Sequence, residues 1–131
     1  MNQEALVERL AAIVGADKVR TDEESLDTFG KDWTKVWPPK PSAIVFPKTT
    51  EQVRDIVLFA NEHKIALVPS GGRTGLSAGA MATNGEVVVA FDYMNQIQDF
   101  NAMDRTVKCG AGVITQQLQE YAEEQGLFYP V

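Results

Sequence analysis

The chain has 131 residues, with 12 Lys and Arg against 18 Asp and Glu, a formal net charge of -6. Its 44 % apolar and 23 % charged content matches a globular domain and excludes a disordered one. A lone cysteine, Cys109, excludes a disulfide scaffold, and apolar runs such as Val87 to Phe91 fall far short of the about 18 residues that cross a membrane.

In chain order, Leu6, Leu10, Ile13 and Val14 recur at helical spacing, which predicts a helix over about 3–14, closed by Gly15 as a left-handed cap. Thr21 to Ser25 is an acidic turn suited to capping a short helix. Asp32-Trp33 and Trp37-Pro38-Pro39 read as an irregular connection whose tryptophans pack onto a neighbouring surface. Ala43-Ile44-Val45-Phe46 is a short apolar strand ended by Pro47. Thr49 and Gln52 have capping-box spacing, and Val53, Ile56, Val57 and Ala60 form one helical stripe to about His63. Ile65 to Val68 is a second apolar strand. Strand, helix and strand between residues 42 and 68 make a βαβ unit, and strands apolar throughout belong in a buried parallel sheet.

Pro69-Ser70-Gly71-Gly72-Arg73-Thr74-Gly75-Leu76-Ser77-Ala78-Gly79-Ala80 follows directly. Asn84-Gly85 is a turn, and Val87 to Phe91 a third strand, parallel by composition. Ile97 to Phe100 and Thr106 to Cys109 interleave polar residues, as in a half-exposed antiparallel hairpin turning at Asn101 to Arg105. Ile114, Leu118, Tyr121 and Ala122 predict a last amphipathic helix ended by Gly126. Residues 127–131, all apolar or aromatic, suit either a strand buried at a sheet edge or a chain that continues.

The glycine-rich stretch is the chief candidate site. A loop after a parallel strand lies at the carboxyl end of the sheet, where ligands bind in open α/β folds. Glycines let backbone amides converge on an anion, Thr74 and Ser77 add hydroxyls, and Arg73 adds a positive charge. The combination suits a phosphate or pyrophosphate. It is not a Walker loop, since no Gly-Lys-Ser/Thr follows, and Gly72-x-x-Gly75-x-x-x-Gly79 is not the dinucleotide fingerprint. Gly110-Ala-Gly112-Val-Ile-Thr115 reads as a tight strand-to-helix corner. His63 suits the last carbonyls of its helix, Cys109 a small core residue, and the acidic runs at 22–24 and 123–124 solvated faces. No cluster has metal-ligand spacing. The acidic balance argues against nucleic acid, and residues 1–4 carry no secretory signal, so the cytoplasm is the default.

Three stretches resemble the vanillyl-alcohol oxidase / p-cresol methylhydroxylase family of FAD-linked oxidases: Pro41 to Val53, Val68 to Ala80, and Gly110 to Val113. With Asp32-Trp33, they are most similar to its D-2-hydroxyacid dehydrogenase branch, which acts on lactate, glycolate or 2-hydroxyglutarate, and less so to its UDP-sugar reductases. The resemblance covers about residues 20 to 131. It implies an α+β fold: an N-terminal helix and aromatic segment over 1–40, a small parallel α/β lobe over 41–92, and the start of an antiparallel lobe over 93–131. It implies FAD held by Ser70, Gly71, Gly72, Arg73, Thr74, Gly75 and Leu76, with Pro69 at the entrance, Gly79 and Ala80 closing the turn, and Pro130 near the flavin. No histidine lies in the loop, so non-covalent FAD is implied.

By the same resemblance the chain is the N-terminal part of a larger flavoenzyme, inactive alone. Catalytic residues and most of the 2-hydroxyacid site would lie past Val131. The whole enzyme would pass electrons to an acceptor and could associate peripherally with a membrane. The residues by themselves leave open a second reading, a self-contained α/β module that binds an anionic ligand or a partner protein and catalyses nothing.

Overall fold

A computed structural model describes all of residues 1–131. The fold is α+β, with a four-stranded sheet flanked on both faces and a separate two-stranded sheet. No helix is long and apolar enough to cross a membrane.

Helix α1 (Gln3–Val14) starts on Asn2, whose side chain accepts from the Ala5 amide, and buries Leu6, Leu10 and Val14. It ends at Gly15 with φ 99° and ψ 148°, so the expected left-handed cap is not formed, although the Gly15 amide still closes on Ala11. Strand β1 (Val19–Arg20) follows, then α2 (Glu23–Phe29), capped by Asp22 accepting from the Ser25 amide. That bond holds the Asp22 carboxyl below its ordinary pKa.

Strands β2 (Ala43–Val45), β3 (Leu67–Ser70) and β4 (Val87–Ala90) are parallel, and β1 adds an antiparallel edge. The order β1-β2-β4-β3 places β4 between the two strands of the expected βαβ unit, so those two are not neighbours. Helix α3 (Thr50–His63) joins β2 to β3. Thr49 accepts from the Gln52 amide, but the Gln52 side chain accepts from the Lys48 amide, one residue outside a true capping box. Ile56, Phe59 and Ala60 are buried; Val57, assigned to that stripe from spacing, faces outward.

Side chains of β2 and β4 alternate between two cores. Ala43, Val45, Val87 and Val89 meet α1 and α3, through Leu10, Ile56 and Phe59. Ile44, Val88 and Ala90 face the other way, with Phe46, Val68 and Ala82, and are covered by Leu26 and Phe29 of α2. The second strand begins two residues later than the apolar run predicts, so Pro69 and Ser70 pair with Val89 and Ala90. Pro69 is tolerated because β3 is an edge strand. Between adjacent parallel strands a crossover is obligatory; from β3 to β4 it is residues 71–86, and it contains no helix.

The second sheet pairs β5 (Ile97–Asn101) with β6 (Thr106–Cys109), antiparallel and irregular between Gln98 and Asn101, and α4 (Thr115–Glu124) follows. Cys109 is exposed, not a core residue. His63 packs on Phe59, and its Nε2 is buried without a hydrogen-bond partner, so it does not serve the helix carbonyls. Residues 127–131 form no strand, and Phe128 is 82 % exposed, so the sheet-edge explanation fails.

Candidate functional site

The glycine-rich crossover leaves the buried end of β3 at Ser70, which is fully buried while its carbonyl accepts from the Phe91 amide. The amides of residues 71–77 then donate to no backbone carbonyl. Gly72, Thr74, Gly75, Leu76 and Ser77 are exposed. A Cβ on Gly72 or Gly79 would meet nothing within 4 Å. A run of unpaired amides on an open, glycine-lined loop at the carboxyl edge of a parallel sheet is the arrangement that receives an anion.

Arg73 does not contribute a free charge to that opening. Its guanidinium forms a two-pronged pair with Asp92, at 3.1 and 2.8 Å, and donates to the Ser70 hydroxyl at 3.3 Å. It also lies 4.7 Å from the Phe29 ring centroid. Sequence spacing does not reveal Asp92, because nineteen residues separate it from Arg73 and no local pattern marks it. Its charge is thus paired within the protein.

The far half of the loop is tied to the segment after α2. The Trp33 amide donates to the Gly75 carbonyl at 3.0 Å, and the Ala78 amide donates to the Thr34 hydroxyl at 2.8 Å. Ala82 donates to the Gly30 carbonyl, and the Met81 amide to Ala78. Asp32, 8 % exposed, accepts from the Thr34 amide through Oδ1, whereas Oδ2 is buried and unpartnered. Burial pushes the Asp32 carboxyl up. The Thr34 amide and hydroxyl, and the nearby Ala80 amide, outweigh burial and hold it below its ordinary pKa. Trp33 and Trp37 are 57 % and 53 % exposed in this chain. They border a cleft of about 440 Å³ with Asp32 and Arg73.

The second glycine segment is a structural corner, as the spacing suggests. A Cβ on Gly112 would stand 1.7 Å from the Phe91 carbonyl oxygen, and one on Gly110 would stand 2.1 Å from that of Met94. This corner reaches the cradle, because a Cβ on Gly71 would lie 3.6 Å from the Ala111 carbonyl. The tail around Pro130 lines an apolar cleft of about 400 Å³ with Phe100 and Leu118, and the Gln119 side chain donates to the Val131 carbonyl.

Residues 41–131 match the sequence model of an FAD binding domain. The chain belongs to this FAD-binding family. FAD is therefore its cofactor, and the open amide run fits a pyrophosphate.

The chain is 63 % identical over all 131 residues to a D-2-hydroxyglutarate dehydrogenase of Stutzerimonas stutzeri, of which it covers 28 %. It is 46 % identical over 122 residues, 93 % of the chain, to one from Xanthomonas citri pv. viticola, covering 26 % of it. The chain thus spans little more than a quarter of the length of these relatives. Among solved structures, p-cresol methylhydroxylase with substrate bound superposes with a TM-score of 0.80 at 28 % identity, over 95 % of this chain and 25 % of that one. The parallel and antiparallel sheets are those of this family's FAD-binding fold.

Proposed function

We propose that the loop from Pro69 to Ala80 holds the FAD pyrophosphate, and that the full-length protein oxidises a D-2-hydroxyacid to the 2-oxoacid. The unpaired amides of residues 71–77 carry the first part of this reading. The names of the two bacterial relatives carry the second and favour 2-hydroxyglutarate over lactate and glycolate.

When bound, FAD supplies the redox chemistry, taking two electrons from the substrate for delivery to an acceptor. This chain's residues bind and orient it. Gly71, Gly72, Thr74, Gly75 and Leu76 turn their amides to the phosphates, and Gly72 and Gly79 leave room for the ligand. Ser70 and Arg73 anchor the loop's first turn, and Ala80 closes its last. Pro130 lies near the flavin. Attachment is non-covalent on this chain's side: the loop holds no histidine, and the one histidine of the chain, His63, packs on Phe59 at the end of α3. A single unpaired cysteine suits a reducing cytoplasm.

The test is a visible absorption spectrum of the full-length protein. A flavin spectrum bleached by D-2-hydroxyglutarate and not by its L form is expected. Gly72→Asp sets a carboxylate against the phosphates and should deplete FAD; unchanged FAD content would remove the loop assignment. Residues 1–131 alone are expected to be inactive, and turnover of D-lactate or D-2-hydroxyglutarate by them would refute that.

A further inference from the structure

We infer that Asp32-Trp33-Thr34 is a strap that holds the glycine loop in its cofactor-binding shape, with Thr34 and Asp32 as positioning residues. The inference rests on the reading that this loop holds FAD.

A loop whose amides are left free for a ligand has no ladder of its own, so its shape must come from outside. Two left-handed residues define that shape: Arg73 at φ 59° and Ala78 at φ 63°. Neither is glycine, and the conformation costs each about 1–2 kcal/mol. Such residues persist only where their surroundings over-determine them. Arg73 is held by Asp92 and Phe29. Ala78 is held by Thr34, whose hydroxyl accepts its amide.

The other strap contacts fit the same task. Trp33 takes the Gly75 carbonyl, turning that peptide's oxygen away from the open face. The buried Asp32 Oδ2 would lie 3.5 Å from a Cβ on Gly75. The strap thus grips the loop at 75 and 78 and leaves the amides of 71–77 uncommitted. Thr34 is itself oriented by its amide's bond to Asp32 Oδ1, at 2.8 Å. The two side chains therefore act as one unit on Ala78.

The experiment measures FAD affinity of the full-length apoprotein by quenching of flavin fluorescence, for wild type, Thr34→Val, Thr34→Ser and Gly72→Asp. Loss of one part-buried hydrogen bond should weaken FAD about three- to tenfold in Thr34→Val. Thr34→Ser, which keeps the hydroxyl, should bind as wild type. Hydrogen exchange of peptides covering 74–80 in the apoprotein should quicken in Thr34→Val alone of those two. Wild-type affinity in Thr34→Val with weak binding in Gly72→Asp would overturn the strap and spare the loop assignment. Normal binding by Gly72→Asp would remove the loop assignment, and the strap with it. If Thr34→Val does not fold, Asp32→Ala, which removes the acceptor that orients Thr34, decides by the same titration: weakened FAD supports the strap, and unchanged affinity overturns it.

Discussion

Arg73 and Asp92 face each other fork to fork, with nitrogen-to-oxygen distances of 3.1 and 2.8 Å, across the mouth of the glycine loop. Asp92 follows β4 at the carboxyl edge of the central strand, so the pair pins the loop's first turn to the most buried part of the sheet. Two parallel bonds fix the guanidinium plane, and its stacking on Phe29 fixes the tilt.

Asp92→Asn should therefore loosen the loop without emptying the core. A loss of about 1 kcal/mol in stability is expected for a part-buried bidentate pair. FAD affinity should fall several-fold by fluorescence titration. Arg73→Lys should not rescue the site, because an ammonium makes neither the fork nor the stack.

Gly112→Ala should be far more damaging than Gly72→Ala. The first drives a methyl into the Phe91 carbonyl, where backbone faces backbone and no side chain can yield. A cost of about 3 kcal/mol or more is expected in denaturant titration. The second adds a methyl to open space and should change stability by less than about 0.5 kcal/mol.

Lys64→Gly should stabilise the protein. Lys64 caps α3 at φ 54°, ψ 45°, the left-handed conformation in which a Cβ is costly and glycine is free of that cost. A gain of about 0.5–1 kcal/mol is expected, read as a higher thermal midpoint.

Asp32 should contribute to an acid limb of stability. Its folded pKa is below the ordinary 3.8, so the unfolded chain takes up the proton first. The stabilisation is present in full above the unfolded value and is lost as pH falls from there through the folded one. Thermal midpoints of wild type and Asp32→Asn between pH 7 and 3 should converge toward the acid end. Parallel curves would show that the carboxylate's charge does not contribute.

Elements with strong local signals are legible in the sequence. The α1 stripe, the apolar triplets of β2 and β4, the β5–β6 hairpin and α4 follow from periodicity, which depends only on neighbours along the chain. The glycine loop is legible for a related reason, since unusual backbone freedom concentrates in few residues. Mislocated features have ambiguous local signals. Ile65-Ala66 is as apolar as a strand, yet pairing starts at Leu67, where the register with β4 begins. Trp33 and Trp37 read from sequence as anchors onto a neighbouring surface, and what they border in this chain is the cleft beside Asp32 and Arg73.

By itself, the sequence determined the element types, the loop able to receive a phosphate, and through its motifs the FAD-binding family. Only the tertiary structure decided the strand order β1-β2-β4-β3, the neutralisation of Arg73 by Asp92, and the grip of Thr34 on Ala78. Helical and strand periods are local properties of the chain. Register and side-chain pairing join residues 19 and 44 positions apart, and no local pattern encodes which partner wins.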